Sequence, residues 1–168
     1  FKLVGADVGS VKVFKNNNGN WEQIGNEINE DGYQGLGFKV SISENGNILA
    51  LSAVNSSNRT FAVILYQLVD EQWQQIGEDI ESPIDTISYH GIATSLSADG
   101  SVLAIGAPWH GGGDPDQEGY VKIYSHQNGD ISQIGEINGE RDLSDLSGDN
   151  SDELGWSLAL SGDGSTLV

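Results

Sequence analysis

The chain has 168 residues, 37% of them apolar and 19% charged, and its 25 acids against 7 bases leave a net charge of −18. That length fits one domain or a piece of a larger one, no apolar run approaches the roughly 18 residues of a membrane-spanning helix, and so acidic a surface repels phosphate backbones and anionic lipid, which argues against nucleic acid and direct membrane insertion. With no Cys, no Met, 23 Gly and 3 Pro, disulfides are excluded and many short strands joined by tight turns are favoured.

In chain order, Phe1 to Ala6 is apolar and matches a segment type designated b below; a start of this kind reads as a processed or excised piece. Val11 to Phe14 is branched and aromatic, a strand designated c. Asn18-Gly19-Asn20 turns it into segment d, Trp21 to Ile24. Gly37 to Ser43 is segment a, where Phe38, Val40 and Ile42 alternate with polar residues and predict a strand with one buried face. Asn45-Gly46 then predicts a two-residue hairpin with positive φ at both positions. Asn47 to Ala53 is segment b, apolar on both faces, as in a strand covered from two sides. Val63 to Tyr66 and Trp73 to Ile76 are the next c and d. The series then repeats as Gly91 to Ser97, Ser101 to Ala107, Val121 to Tyr124 and Ile131 to Ile134, and resumes with Gly155 to Ser161 and Ser165 to Val168. Gln23-Ile24-Gly25 returns as Gln75-Ile76-Gly77 and Gln133-Ile134-Gly135. No helix-period pattern appears anywhere.

Repetition at this spacing indicates like units that stack to bury their apolar faces. The expected fold is all-β: β-propeller blades, each a four-stranded antiparallel meander. Residues 1–168 form one segment, with units at about 1–36 (partial), 37–90, 91–154 and 155–168 (partial). Two complete and two partial blades predict a piece of a six- to eight-bladed ring, or self-association that completes one. Phe14, Tyr66 and Tyr124 each stand ten residues before Ile24, Ile76 and Ile134, so the c–d turn is fixed in length. The b–c loops and d–a connectors vary, and in a meander they emerge at the same end. Variable loops collected on one face predict a binding surface there.

Gly155 to Leu167, read with Leu103 to Pro108 and Gly119 to Tyr124, resembles the FG-GAP repeat, the blade motif of the integrin α-subunit propeller and of related secreted microbial and algal propellers. Its Gly-Ala-Pro element stands as Gly106-Ala107-Pro108, and Leu36-Gly37 and Leu154-Gly155 occupy the Phe-Gly place. The resemblance implies an extracellular or cell-surface adhesive or structural module. The integrin-type calcium loop in the a–b turn is here reduced to Ser-x-Asp/Asn-Gly, too few ligands for calcium, so that site does not carry over.

Asp114, Asp116 and Glu118 alternate in the long b–c loop, the spacing of hard-cation loops, and calcium is the one cofactor the chain could take there; the competing reading is a solvated acidic loop. The acidic connector from Asp142 to Glu153 carries the same two readings. Asn55-Ser-Ser57 and Asn58-Arg-Thr60 are N-glycosylation sequons. Trp109 and His110, beside a run of three glycines, could stack on a sugar or anchor a protein. His90, His110 and His126 match no metal spacing and are expected at the surface, whereas Trp21 and Trp73, equivalent in segment d, are expected to pack between blades. No nucleophile elbow, Cys nucleophile or phosphate-cradling loop is present. The expected function is therefore non-catalytic: a secreted or cell-surface interaction or structural module for protein or glycan partners, acting through the variable-loop face or tiling an assembly. The alternative is a lectin-like or glycan-processing propeller with a divalent cation in its acidic loops.

Overall fold

The computed structural model describes residues 9–82, 93–108, 119–127, 129–139 and 154–168. Among these the chain is all-β without a helix, and its sheets are antiparallel, one of them strongly curled. The first sheet pairs β1 (Val11–Asn17) with β2 (Asn20–Ile28). The second contains β3 (Tyr33–Gln34), β4 (Val40–Ile42), β5 (Ile48–Asn55), β6 (Phe61–Val69) and β7 (Gln72–Ser82), with β3 and β4 both on the outer side of β5. The third runs β8 (Ala93–Leu96), β9 (Val102–Ala107), β10 (Tyr120–Gln127) and β11 (Asp130–Asn138) as a simple meander. Segments a to d of both complete units thus form adjacent antiparallel strands. In the last unit a single bridge joins Leu160 to Leu167.

The turns correct the sequence reading. The a–b turn is not a two-residue hairpin: Gly46 donates to Ser43 O at 2.9 Å, Ser43 N reaches Ile48 O at 2.9 Å, and only Gly46 has positive φ. This is a longer loop whose left-handed position needs glycine, and it recurs at Gly100 and Gly164. Side chains explain the extra length. Ser43 Oγ accepts from Ile48 N at 2.9 Å and donates to Asn45 Oδ1 at 2.8 Å, so the loop closes on its own polar groups. The two-residue turn with two positive φ values occurs instead between c and d, at Asn18-Gly19 and at Asp70 (φ 47) with Glu71 (φ 60).

Each sheet is covered by the next. Leu49, Leu51, Ile64, Tyr66 and Trp73 of the second sheet pack with Ile28 of the first. On its other face Ile48, Ala50, Val63, Leu65 and Ile76 pack with Leu96, Leu103 and Ile105 of the third. Alternate residues of β5 and β6 therefore enter opposite cores, which is why segment b is apolar throughout. The joints between sheets repeat. Leu96 N donates to Ser41 Oγ at 3.0 Å and Leu160 N to Ser95 Oγ at 2.9 Å. Glu44 N donates to Ala98 O, and Ala98 N to Gly162 O, both at 2.8 Å.

The outer strands lock through glycine. Gly25 and Gly77 lie in β-bulges with φ of 71° and 64°. A β-carbon on Gly25 would stand 2.5 Å from Trp73 Cδ1, and one on Gly77 would stand 2.9 Å from Ile131 Cδ1. Trp73 also donates its indole N–H to Ile24 O at 3.1 Å and its backbone N–H to Asn26 Oδ1 at 2.7 Å.

Two burial expectations fail for one reason. Trp21 is 68% exposed although its equivalent, Trp73, is 5% exposed. Phe38, Val40 and Ile42 are also exposed, Ile42 at 46% against 8% for its equivalent Leu96. Leu96 and Trp73 each face a preceding sheet; among the described residues none stands before Trp21 or before the Phe38–Ile42 row. Burial here is conferred by the neighbouring sheet and not by the strand itself.

A left-handed conformation costs an L-residue about 1–2 kcal/mol, and Glu71 is exposed at φ 60. Glu71→Gly should raise the unfolding free energy by about 0.5–1 kcal/mol in urea titration, part of the gain being offset by glycine's freedom in the unfolded chain. A loss of stability would contradict the turn assignment.

Candidate functional site

The b–c loop and d–a connector of the second sheet meet at one end. Ser56 N donates to Gly32 O at 2.8 Å, and β3 pairs with the end of β5 at Tyr33↔Asn55 and Gln34↔Val54. In the third sheet Gly139 N donates to Gly119 O at 2.8 Å, and a β-carbon on Gly119 would lie 2.8 Å from Pro108 Cα, so the feet of the next long loop and connector also converge. The opposite end carries the fixed turns, where Leu68 N donates to Asn47 O at 2.9 Å and His126 N to Ser101 O at 2.8 Å.

At the loop end an open groove of about 780 Å³ is lined by Glu30, Tyr33, Gln75, Gly77, Glu78, Asp79 and Glu81. A second groove of about 530 Å³ lies across the same β7 segment, against Tyr124, Asp130 and Ile131. The β7 bulge at Gly77 places Asp79 inward while Glu78 and Glu81 stay exposed. Tyr33 donates its hydroxyl to Asp79, and Gln75 Nε2 donates to the other oxygen at 2.8 Å. Partial burial, then the charges of Glu81 and Glu30, hold the Asp79 carboxyl above the ordinary carboxylate range. Tyr66 donates its hydroxyl to Glu30 Oε1 at 2.6 Å, and burial followed by that carboxylate raises its phenol further.

Glu81 is the hub of the sequon loop. It accepts from Asn55 Nδ2 at 3.1 Å and from Asn58 Nδ2 at 3.3 and 3.4 Å. Asn55 Oδ1 takes the backbone N–H and hydroxyl of Ser57 at 3.0 and 2.7 Å, and Asn58 Oδ1 takes those of Thr60 at 3.1 and 2.8 Å. Both sequons are thus closed Asx turns, with Asn58 exposed and Asn55 half-buried. The structure brings these two sequence candidates together with an acidic groove that the sequence alone did not reveal. Glu30, Tyr33, Asp79 and Glu81 carry no motif, and only the unanticipated β3 joins them.

Asp114, Asp116, Glu118, Trp109 and His110 lie outside the described residues, as do His90 and the 142–153 connector. Among the described residues no three acidic or His side chains are placed to hold a metal. His126, expected at the surface, is half-buried, and its Nε2 is covered. Compared with known proteins, the chain matches no family model and no curated protein.

At the turn end, Asp99 accepts from Ser97 Oγ, Ser101 N and Ser101 Oγ at 2.8, 2.9 and 2.7 Å, and Asp163 repeats the pattern at 2.6, 3.0 and 2.8 Å. Bonds from Ser101 and Ser97 lower Asp99 to about 2, and those from Ser161 and Ser165 lower Asp163 to about 2. A carboxylate with a depressed pKa stabilises the fold above its unfolded value near ~3.9 and loses that contribution as pH falls toward about 2. In a carboxyl-carbon NMR titration, two Asp signals should titrate near pH 2, and Asp99→Asn should leave one of them. Asn45 fills the equivalent place, so the variant should fold. Both Asp signals titrating with the bulk near pH ~4 would refute the turn geometry.

Proposed function

We propose that the chain contributes consecutive blades of an FG-GAP-type β-propeller. It serves as a non-catalytic, secreted or cell-surface interaction module, engaging protein or glycan partners at its loop end. The observation that carries this reading is the asymmetry of the two ends. One is closed by near-identical Ser-Asp turns. At the other, among the described residues, the 29–36 connector and the 55–60 loop meet beside an open groove with hydroxyl, amide and carboxyl groups on its wall. Such a wall suits hydrogen bonding to sugar hydroxyls or to amide and ammonium groups of a protein. Supporting it, Tyr33, Gln75, Asn55 and Asn58 hold the groove carboxylates in fixed orientations, the pre-organisation that recognition requires. The acidic surface favours basic partners, and the sequons at the same end fit an extracellular setting.

The test is an array of printed glycans and extracellular-matrix proteins probed with the chain and two variants. Tyr33→Ala with Glu81→Lys should abolish the binding seen, and Glu44→Lys at the turn end should retain it. A blank array, or binding lost only in the turn-end variant, would overturn the assignment.

A further inference from the structure

Two sequons abut in the 55–60 loop, and the structure treats their asparagines differently. N-glycosylation joins the Asn side-chain nitrogen to C1 of a sugar delivered on a lipid-linked pyrophosphate. The nitrogen gives up one proton, the lipid pyrophosphate leaves, and the amide keeps one N–H and its oxygen. A usable asparagine therefore needs open space around Nδ2, whereas its Oδ1 can stay bonded.

Asn55 is the last residue of β5 and is held through both backbone and side chain. Its N–H donates to Thr60 O and its carbonyl accepts from Arg59 N, both at 2.8 Å. It pairs with Tyr33 of β3 on the other side. Its Oδ1 takes the N–H and hydroxyl of Ser57, and its Nδ2 donates to Glu81 Oε1 at 3.1 Å. A sugar on this half-buried residue has to enter where β3, β5 and the loop meet Glu81. Asn58 stands in the loop itself and is exposed. Its Nδ2 lies 3.3 and 3.4 Å from the two Glu81 oxygens, long for a bond to a charged acceptor. One N–H can serve both contacts, which leaves the second to carry a sugar. The two amides also compete. Both nitrogens bond the same Glu81 Oε1, so they stand side by side and leave no room for two branched oligosaccharides.

We propose that Asn58 carries one N-linked glycan, and that Asn55 stays bare as the clasp between β5 and Glu81. The proposal rests on the secreted or cell-surface reading above. Transfer takes place on the unfolded chain, where either sequon is within reach. The fold then selects, because the loop closes with a sugar on Asn58 and not with one on Asn55. Glu81 also lines the loop-end groove, so the glycan rises at the groove's rim.

The test is to express the chain behind a secretory signal in a glycosylating eukaryotic host. Secreted and microsomal material is digested with glycan amidase in heavy-oxygen water, which turns each sugar-bearing Asn into a labelled Asp, and is mapped by mass spectrometry. The expected result is one glycan per secreted chain, with the label at position 58 only. Asn55→Gln should keep it, and Asn58→Gln and Thr60→Ala should each remove it. An unmodified parent chain, a label at position 55, or two glycans on one chain overturns the assignment. The added signal forces entry to the secretory route, so an unmodified chain counts against the site and leaves the extracellular reading to the array. The chain has no Cys, which allows the same choice to be tested without a cell. The probe is N-acetylglucosamine carrying an iodoacetamide group, whose iodide is displaced by a thiolate. Folded Asn58→Cys protein should couple rapidly, with the same urea midpoint before and after. Folded Asn55→Cys protein should couple at least about tenfold more slowly, through local opening. Equal rates at the two positions, or a midpoint that falls on coupling at position 58, would overturn the proposal.

Discussion

Everything in this structure depends on one constraint: a sheet apolar on both faces cannot dry its own surface. β5 and β6 send alternate side chains into two separate cores, and each core is half made by another sheet. The chain meets this requirement by repeating one joint. Serine hydroxyls and a–b turn peptides tie the inner strands, and a bulge glycine accepts a large side chain at the outer strands. The bulge glycine does two things that no other residue can do at once. It adopts left-handed φ, and it leaves the space that the next sheet's Trp or Ile fills.

The same constraint divides the molecule's two ends. Turns between a and b must hold neighbouring sheets in register, so their polar groups are spent internally and their length cannot change. Among the described residues no loop between b and c or between d and a carries the serine and turn-peptide joint, and in the sequence these segments differ in length. The groove of Glu30, Tyr33, Asp79 and Glu81 lies where that variation begins. Charge follows the same division: the sheets join by apolar contact, and the groove wall carries Glu30, Glu78, Asp79 and Glu81.

The strands were legible because period-two patterns and branched residues repeat in register, and every segment from c of the first unit to d of the third forms where expected. The turn types were not. Asn45-Gly46 carries the strongest hairpin signature, yet Ser43 closes a longer loop through its side chain; Asp70-Glu71 carries none, yet adopts the tight turn because the flanking strands demand it. Trp21 and Trp73 are equivalent in the sequence and opposite in burial, because what covers Trp73 lies some fifty residues away in the first sheet. The groove has no signature in the sequence for the same reason: Tyr33 and Asp79 are 46 residues apart, and Tyr33 sits in a two-residue strand with no pattern of its own.

The locking role of the bulge glycine is open to direct measurement by urea unfolding of Gly25→Ala beside Gly135→Ala. At Gly25 a β-carbon is both left-handed and 2.5 Å from the Trp73 ring, and the account predicts a loss of at least about 2 kcal/mol. At Gly135 the backbone is not left-handed and the nearest atom to a β-carbon is the terminal Ile123 methyl group at 3.2 Å, so the change should stay within about 1 kcal/mol. Equal losses at the two positions, or a Gly25→Ala protein as stable as the parent, would contradict it.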